Sequence, residues 1–330
     1  MKIAVIGDGG WGTALALLLA EKNYSVCLWG AFDSYIRQMR RVNQNSKFLP
    51  GFSFPSSLRL TSDLSEACRW SDDIVLAVPS QHLRAVLKRG CELPYHTKTF
   101  ISVAKGIETR TLKTMSAVIA DELGKVKVCV LSGPCIAREV AQKLPAAVSC
   151  ASSVPKTAFK IRQIFSTNYF GVFTGDDVLG VELGGSVKNV IAICAGILEG
   201  LGFGSNTRAL LFARGVAEMA RLGVKMGAKR ETFMGLSGLG DLATTCLSPI
   251  SRNRTLGEKI GKGQKAADIL KRSEMVVEGV DTAQATFELA KKYKVKMPIV
   301  EAVYGILFKN HNPQNAVKAL LNQELHGELD

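Results

Sequence analysis

Residues 2–20 have the sequence "KIAVIGDGGWGTALALLLA", a short apolar run, a cluster of glycines and a second, longer apolar run. The glycines at 7, 9 and 12 follow the spacing Gly-x-Gly-x-x-Gly, between a predicted strand and a helix that begins near Gly10. Glycines there permit a tight turn, let the backbone approach a pyrophosphate and allow the helix to pack closely on the strand. The N–H groups at the helix start bind phosphate. The stretch therefore predicts a dinucleotide-binding site that includes Gly7, Gly9, Gly10 and Gly12.

A second sign of such a site is an acidic residue about 20 positions further on, at the end of the next strand, which binds a ribose of the dinucleotide. Here the chain reads "LWGAFDS" at 28–34, so Asp33 comes slightly late, and no arginine stands at 30–33 to hold a 2′-phosphate. NAD and NADP therefore both remain possible. Asp8, an acid close to the expected pyrophosphate, has no explanation in the sequence.

The pattern of the first strand continues as far as residue 175. Short apolar runs alternate there with amphipathic segments, which is typical of a parallel sheet with helices on both faces. The runs are "KIAVIG", "SVCLWG", "LRLTS", "DIVLAVP", "TFISVAK", "KVCVLSG", "AAVSCAS" and "YFGVFTG". We predict an α/β fold, with a Rossmann-type doubly wound parallel sheet in residues 1–175.

The pattern becomes helical from Asp176 onward, with Gly-rich turns between the segments. The predicted helices lie near 177–200, 207–226, 231–237, 252–261, 266–272, 281–292, 298–308 and 313–321. A chain of 330 residues exceeds the usual size of one core. We therefore predict a second, all-helical domain in residues 176–330 that binds the substrate.

The composition restricts the partners. A net charge of +13 favours anions, yet the basic residues are scattered and aromatic residues make up 7% of the chain, which argues against nucleic acid. The four histidines and eight cysteines show no metal-ligand spacing, so no metal is expected. Cysteines without a C-x-x-C pair, mostly in apolar runs, predict reduced thiols and a cytoplasmic protein. Neither a signal peptide nor a membrane-spanning segment is predicted.

Lys188 is the one charged side chain in "GGSVKNVIA", residues 184–192, an otherwise apolar helical segment. It could snorkel from a core helix to solvent, or it could deliver a proton to the alkoxide that forms when a ketone is reduced. For the second role, Gly184 and Gly185 would let a ligand approach, and burial together with nearby Lys105 would lower the pKa of Lys188.

Three further places could bind an anionic substrate. Lys105 follows a predicted strand, and ligands of doubly wound folds lie beyond the carboxyl ends of strands. Asp241 in "SGLGDL" could bind substrate hydroxyls or orient Lys188, or it could only cap a helix. Arg252 and Asn253 in "SRNR" stand at a predicted helix start, where a guanidinium and free N–H groups suit phosphate, although a solvated basic turn has the same sequence.

Seven separated stretches resemble, in order, one family along the whole chain: the soluble NAD(P)-dependent glycerol-3-phosphate dehydrogenases of bacterial type. They are "GDGGWGTALA" (7–16), "VAKGIE" (103–108), "LSGPCIAREV" (131–140), "GGSVKNVIAICAGI" (184–197), "GLSGLGDLATTC" (235–246), "SRNR" (251–254) and "VVEG" (276–279). The resemblance implies reduction of dihydroxyacetone phosphate to sn-glycerol 3-phosphate, a precursor of phospholipids, with NADH or NADPH.

The resemblance also implies roles for individual residues. Catalysis falls on Lys188. Cofactor contacts fall on Gly10, Trp11, Lys105, Ala137, Arg252, Val276 and Glu278. Substrate contacts fall on Lys105, Gly133, Cys135, Lys188, Asp241, Ser251, Arg252 and Asn253. The family usually has Ser or Thr where this chain has Cys135, a weaker hydrogen-bond donor. Ala31 replaces a basic residue of the family, which weakens the case for NADP.

Two other functions fit the same sequence features. A relative of the β-hydroxyacid dehydrogenases would also join a Rossmann domain to a helical domain and use a lysine on another small anion. A non-catalytic dinucleotide-binding protein would keep the fold without turnover, although binding alone would not require Lys105, Lys188, Asp241 and Arg252 together. The apolar helical half makes a homodimer plausible.

Overall fold

The computed structural model describes residues 1–90, 95, 97–273 and 275–321. The chain forms two compact units. The first unit contains Met1–Ala104 and Met115–Val178, and the second contains Lys105–Thr114 and the chain from Leu179 onward. The sequence pattern placed a single boundary near residue 176, whereas the segment Lys105–Thr114 leaves the first unit and joins the second.

The first unit is built on an eight-stranded sheet, and every apolar run named above forms one of its strands. The strands are β1 (Lys2–Ile6), β2 (Ser25–Trp29), β5 (Leu58–Thr61), β6 (Asp73–Leu76), β7 (Thr99–Ser102), β8 (Lys127–Ser132), β9 (Ala146–Ala151) and β10 (Phe170–Gly175). Their order in the sheet is β10-β9-β8-β7-β6-β1-β2-β5. A separate hairpin, β3 (Gln44–Asn45) and β4 (Leu49–Ser53), was not predicted.

The sheet is not parallel throughout, which corrects the prediction at one place. β8 and β9 are antiparallel, with Leu131 opposite Cys150, and β10 then runs parallel to β9. Between β8 and β9 the chain forms only a five-residue helix, Ala137–Ala141. A parallel return needs a long crossover, usually through a full helix across the sheet, so this connection favours the antiparallel return.

Helices cover both faces of the sheet, as predicted for a doubly wound fold. They are α1 (Gly10–Glu21), α2 (Asp33–Val42), α3 (Leu64–Trp70), α4 (Ser80–Gly90), α5 (Met115–Leu123), α6 (Ala137–Ala141) and α7 (Pro155–Phe165). Neighbouring residues of β1 face opposite ways: Ile3 and Val5 belong to the core with α1, α2 and α7, whereas Ala4 and Ile6 belong to the core with α3, α4 and α5. This alternation is the two-residue period of a strand buried on both sides.

The described part of the second unit contains helices and turns, with no strand beyond an isolated bridge between Ile107 and Thr114. The helices are α8 (Val178–Gly200), α9 (Ser205–Met226), α10 (Asp241–Leu247), α11 (Arg252–Gly261), α12 (Ala266–Lys271), α13 (Glu278–Tyr293), α14 (Pro298–Phe308) and α15 (Pro313–Leu321). The helix expected at 231–237 is instead a 3₁₀ turn, Arg230–Met234, followed by a π-helical turn, Leu236–Gly240. The glycines of "MGLSGLG" disfavour a regular helix there, and α10 after them was missed.

Helix α8 forms the centre of the second unit. Among the described residues it is the one helix long and apolar enough to cross a membrane, yet the apolar window that meets this criterion is entirely buried inside the fold. Its core partners include Leu222 of α9, Leu256 of α11 and Ala283 of α13. Lys188 therefore lies on a core helix of this unit.

Candidate active site

The glycine loop, which we define as residues 7–12, joins β1 to α1 in the first unit. Gly7 has φ +122°, a conformation that favours glycine, and a Cβ on Gly12 would overlap the carbonyl oxygen of Gly7. A Cβ on Gly9, in contrast, would meet no atom within 4 Å. No side chain caps the start of α1, and its first turn carries no acid. Open space at Gly9 beside uncapped N–H groups fits the pyrophosphate of a dinucleotide.

Asn45 of the β3–β4 hairpin holds this loop in place, and no sequence pattern pointed to that role. Its amide nitrogen donates to the carbonyl oxygen of Asp8 at 2.7 Å and to the hydroxyl of Thr13 at 2.7 Å. Its amide oxygen accepts from the hydroxyl of Tyr35 at 2.6 Å and from the N–H of Phe48 at 3.0 Å. Asn45 is fully buried, so the hairpin supports the loop through a saturated amide.

Two further predicted cofactor residues are Trp11, within the glycine loop, and Ala137, which lies next to it. The indole Nε1 of Trp11 is buried and has no hydrogen-bond partner among the described residues, while its ring lies 6.3 Å from that of Phe170. Ala137 begins α6, and its Cβ lies 3.9 Å from the position that a Cβ on Gly10 would take. A buried indole N–H without a protein partner suits a ligand oxygen.

Gly133 and Cys135 follow β8 in the first unit. The Cys135 thiol donates to the carbonyl oxygen of Gly133 at 3.0 Å. Unlike the six other described cysteines, which are buried, Cys135 is partly exposed, and all seven are free thiols. Cys91 lies outside the described residues. The predicted substrate contact at Cys135 thus involves an accessible thiol that already bonds its own loop.

Three charged side chains of the second unit form a buried group that we call the lysine cluster: Lys105, Lys188 and Asp241. The Lys188 ammonium donates to Asp241 Oδ1 at 2.9 Å, and the Lys105 ammonium donates to Oδ2 of the same carboxylate at 2.7 Å. Lys188 is 5% exposed and Asp241 2%. Burial alone would raise the pKa of Asp241, but the two lysine charges outweigh it and hold that pKa below its ordinary value. Two ammonium groups thus share one buried carboxylate; that of Lys188 is buried, whereas the Lys105 side chain is 15% exposed.

Neighbouring side chains on α8 and α10 orient the lysine cluster. Asp241 is the first residue of α10, and Thr245 stands one turn later on the same face, where its hydroxyl accepts from Lys188 Nζ at 2.6 Å. Asn189, next to Lys188, donates to the backbone oxygen of Lys105 at 3.3 Å. Neither Thr245 nor Asn189 was predicted as a site residue. The spacing of four residues in "DLATT" and the adjacency in "VKNV" could have suggested them.

The start of α11 carries the "SRN" residues, as predicted. Ser251 is the N-cap, and its hydroxyl accepts from the N–H of Arg254 at 3.3 Å. Asn253 is buried; its amide donates to the side chain of Asn189 at 2.8 Å and accepts from the N–H of Gly279 at 3.0 Å. Asn253 and Asn189 thus connect α11 to α8 and, through Lys105, to the lysine cluster.

Three of the predicted cofactor residues of the second unit, Arg252, Val276 and Glu278, lie near one another. Arg252 is exposed, and its guanidinium donates to the carbonyl oxygen of Val276 at 2.7 Å. Glu278 begins α13 two residues further on and is half-buried. Arg252, Val276 and Glu278 therefore share one side of the second unit, around the start of α11 and α13.

One expectation about the glycines of α8 is wrong. Gly184 was predicted to leave room for a ligand, but a Cβ there would lie 2.9 Å from the carbonyl oxygen of Ser237 and 3.3 Å from Cα of Gly238. The space is filled by the π-helical turn before Asp241. Gly184 therefore allows that turn to approach α8, which brings Asp241 to Lys188.

No group of three or more His, Cys, Asp or Glu side chains that could hold a metal ion occurs in the described part of the chain. Two of the four histidines, at positions 96 and 326, lie outside that part.

Comparison with known proteins identifies the family. Residues 2–158 match the NAD-dependent glycerol-3-phosphate dehydrogenase N-terminus, and residues 177–318 match the C-terminus of the same family. The chain is 47% identical to a glycerol-3-phosphate dehydrogenase [NAD(P)+] of Citrifermentans bemidjiense, over 99% of this chain and 98% of that protein. It is 45% identical to one of Syntrophotalea carbinolica, over 100% of both.

A solved structure shows the same fold. The crystal structure of glycerol-3-phosphate dehydrogenase from Coxiella burnetii superposes with a TM-score of 0.95 at 38% identity, over 98% of this chain and 99% of that one. The agreement extends along both units. The chain belongs to the NAD-dependent glycerol-3-phosphate dehydrogenase family.

Proposed function

We propose that this protein reduces dihydroxyacetone phosphate to sn-glycerol 3-phosphate, and that Lys188 donates the proton to the oxygen at C2. Family membership supports the reaction, since relatives about 45% identical over the whole chain carry that name. The observation that supports the role of Lys188 is its ammonium group, buried on α8 and held by Asp241 and Thr245. A lysine that only snorkelled to solvent would place its ammonium in water.

The lysine cluster suits the charge that develops during the reaction. When bound, NADH or NADPH supplies the hydride. Lys188 Nζ gives a proton to the substrate oxygen, and Lys105 adds a second positive charge nearby. Because two ammonium groups face one carboxylate, a positive charge remains to stabilise a developing alkoxide in a site with little water. In the oxidative direction, neutral Lys188 accepts the proton.

Asp241 has a positioning role in this proposal. Its carboxylate holds both ammonium groups and favours their charged forms, opposite to the effect of burial on the lysines. Thr245 restricts Lys188 from a second direction. Together they fix the proton donor before substrate arrives, which reduces the ordering required in the reaction.

The substrate phosphate is assigned to the start of α11. Its first N–H groups and the exposed guanidinium of Arg252 have the charge and the donors that a phosphate requires. Ser251 and Asn253 hold this helix start in position through their own hydrogen bonds. We propose that they also contact the substrate phosphate with the hydrogen-bond donors that those bonds leave unused. Gly133 and Cys135 remain proposed substrate contacts.

The cofactor is assigned to the glycine loop with Trp11 and Ala137, and to Lys105, Arg252, Val276 and Glu278. In this proposal residues 1–175 bind the dinucleotide and residues 176–330 bind the substrate. The open space at Gly9 and the uncapped start of α1 support the first assignment. The lysine cluster supports the second.

Lys188→Met tests the catalytic assignment, because methionine fills a similar volume without a charge. We expect kcat for reduction of dihydroxyacetone phosphate to fall by about 10²- to 10⁴-fold, the usual contribution of a positioned acid. The affinity for NADH and NADPH, measured by calorimetry, should stay within a few-fold of the wild type. The matched control is Lys98→Met, since Lys98 is also buried but donates to the backbone oxygen of Ser71 in the first unit.

Turnover of the Lys188 variant near the wild-type rate would refute the role of Lys188. The substrate assignment has a separate test: the wild type is offered dihydroxyacetone phosphate and a panel of β-keto acids. Faster reduction of any keto acid would favour the β-hydroxyacid dehydrogenase alternative. Cofactor binding without turnover of any substrate would favour a non-catalytic protein.

We further propose a cytoplasmic homodimer. The described cysteines are all free thiols, as expected in a reducing compartment. Exposed apolar side chains of the second unit, among them Met234, Leu247 and Ile250, are each more than half accessible and supply surface for a second copy. Light scattering during size-exclusion chromatography should give a mass near twice 35.6 kDa.

A further inference from the structure

The Asp8 side chain lies against the end of β2. A Cβ built on Gly30 would overlap Oδ2 of Asp8 and would lie 2.6 Å from its Cγ. The backbones meet at the same place, because the N–H of Gly7 donates to the carbonyl oxygen of Trp29 at 2.9 Å. The carboxylate therefore occupies the space that a side chain at position 30 would take.

Dinucleotide-binding folds usually place an acidic side chain at the end of the second strand to bind a ribose. The sequence offered Asp33 for this role, but Asp33 is engaged elsewhere. Its Oδ2 pairs with Arg37 one turn later on α2 at 2.9 Å, and its Oδ1 accepts from the hydroxyl of Ser62 at 2.9 Å. The Asp33 carboxylate thus stabilises the first turn of α2 through these two contacts.

The carboxylate of Asp8 is not paired with a neighbouring side chain in this way. No lysine or arginine of the described residues forms an ion pair with it, its contacts with Asn45 and Thr13 use the backbone oxygen, and its own backbone N–H donates to the carboxylate. Asp8 is partly buried, and burial raises the pKa of its carboxyl group. Residues 30–32 are Gly, Ala and Phe, so no cation stands there for a 2′-phosphate.

We propose that Asp8 binds the adenosine ribose hydroxyls of the dinucleotide and makes this enzyme prefer NADH to NADPH. The carboxylate accepts hydrogen bonds from the 2′- and 3′-hydroxyls of NADH. NADPH carries a phosphate at the 2′ position, which adds negative charge beside this carboxylate and removes one donor. The proposal rests on the proposed function only in that the glycine loop binds a dinucleotide.

The test measures binding of NADH and of NADPH by calorimetry, without substrate and at fixed salt. The wild type should bind NADH about tenfold or more tightly than NADPH, as expected for hydrogen bonds to a charged group. Asp8→Asn keeps the shape but removes the charge, so NADH affinity should fall about tenfold and the preference should shrink. Asp33→Asn is the matched control and should leave the ratio unchanged.

Gly30→Ala gives an independent variant. Its methyl group would overlap the Asp8 carboxylate and lie 2.9 Å from Cδ1 of Ile36, so it would displace the carboxylate while position 8 keeps its aspartate. The NADH preference should then shrink as in Asp8→Asn. In the Asp8→Asn background the same change should have little further effect on the ratio. Gly30→Ala also serves if Asp8→Asn fails to fold, which its thermal melting curve will show.

Tighter binding of NADPH than of NADH by the wild type would overturn the proposal, and so would a loss of preference in Asp33→Asn but not in the Asp8 variant. Failure of the proposed function has a different signature. In that case dihydroxyacetone phosphate is not reduced, while the difference between the two dinucleotides and its dependence on Asp8 persist.

Discussion

The glycine loop of the first unit and the lysine cluster of the second are held by different interactions. Gly12 packs against the backbone oxygen of Gly7, and the amide of Asn45 satisfies groups of the loop. In the second unit, Lys188 and Asp241 are held by buried charges on different helices. The loop depends on the absence of side chains, whereas the cluster depends on the sign of charges. Substitutions that change volume should therefore damage the first, and substitutions that change charge should damage the second.

Asp241→Asn should have the largest effect, because it removes charge at constant shape. The Lys188 ammonium would remain buried without its carboxylate, next to Lys105, whose side chain is 15% exposed, and breaking a buried pair costs about 3–5 kcal/mol. We expect the free energy of unfolding in urea to fall by about that amount. We also expect kcat to fall at least about a hundredfold, since Lys188 loses its orientation.

The control for this prediction is Glu288→Gln. Glu288 pairs with Lys291 in the same unit at 3.5 Å, and both side chains are exposed, by 45% and 59%. Such pairs contribute about 0–1 kcal/mol, so this variant should stay near the wild type in both measurements. Equal losses in the two variants would show that burial of the cluster is not what makes its charge important.

Gly12→Ala and Gly9→Ala separate packing from ligand approach in the first unit. The methyl group at position 12 meets backbone, which cannot yield as a side chain does, so the free energy of unfolding should fall by about 1–3 kcal/mol or more. At position 9 the methyl group meets nothing within 4 Å, so stability should hold while NADH affinity falls. Urea denaturation and calorimetry measure the two effects.

If Gly9→Ala bound NADH like the wild type, the open space at Gly9 would not be the pyrophosphate site. If Gly12→Ala were as stable as the wild type, the close packing of α1 on β1 would not require a glycine at position 12. Either result would weaken the contrast between the two units.

The same contrast explains what the sequence could predict. The glycine loop, the strands and most helices are local patterns, and the structure has them where the sequence placed them. The direction of β9, the transfer of Lys105–Thr114 to the second unit and the amide of Asn45 depend on contacts between distant residues, which one sequence does not display. The resemblance assigned Lys105, Lys188 and Asp241 to one site, because the site of a known family already reflects contacts between distant residues. It gave no account of Asp8, whose carboxylate meets Gly30 only once β1 and β2 are paired.

Glu218 extends the comparison to a buried charge outside the candidate site. It lies on α9 and is 2% exposed. Its carboxylate accepts from the N–H groups of Ile299 at 2.8 Å and Val300 at 3.4 Å, at the start of α14. Burial raises the pKa of Glu218 to about 8 from an ordinary 4.5, while the two backbone N–H groups act more weakly in the opposite direction.

A pKa raised by folding means that the folded chain binds this proton more tightly than the unfolded chain. The contribution of Glu218 to stability is therefore complete below pH 4.5 and is lost as the pH rises to about 8. At its steepest this loss is about 1.4 kcal/mol per pH unit for one proton. Glu218→Gln keeps an acceptor for Ile299 but cannot ionise. The difference in unfolding free energy, variant minus wild type, should therefore rise with pH across this window.

Urea denaturation of both proteins at intervals across this pH range measures that difference. The control is Glu288→Gln, which changes an exposed acid on α13 and should give a difference that does not vary with pH. A flat difference for Glu218→Gln as well would mean that the carboxylate stays charged at the start of α14. Buried charge in the second unit would then be sustained mainly by backbone N–H groups, with a smaller effect of the Arg221 charge and without the direct ion pairs that Asp241 has in the lysine cluster. The difference between backbone-held and charge-held structure in the two units would then be smaller, since backbone N–H groups would also stabilise a buried carboxylate in the second unit.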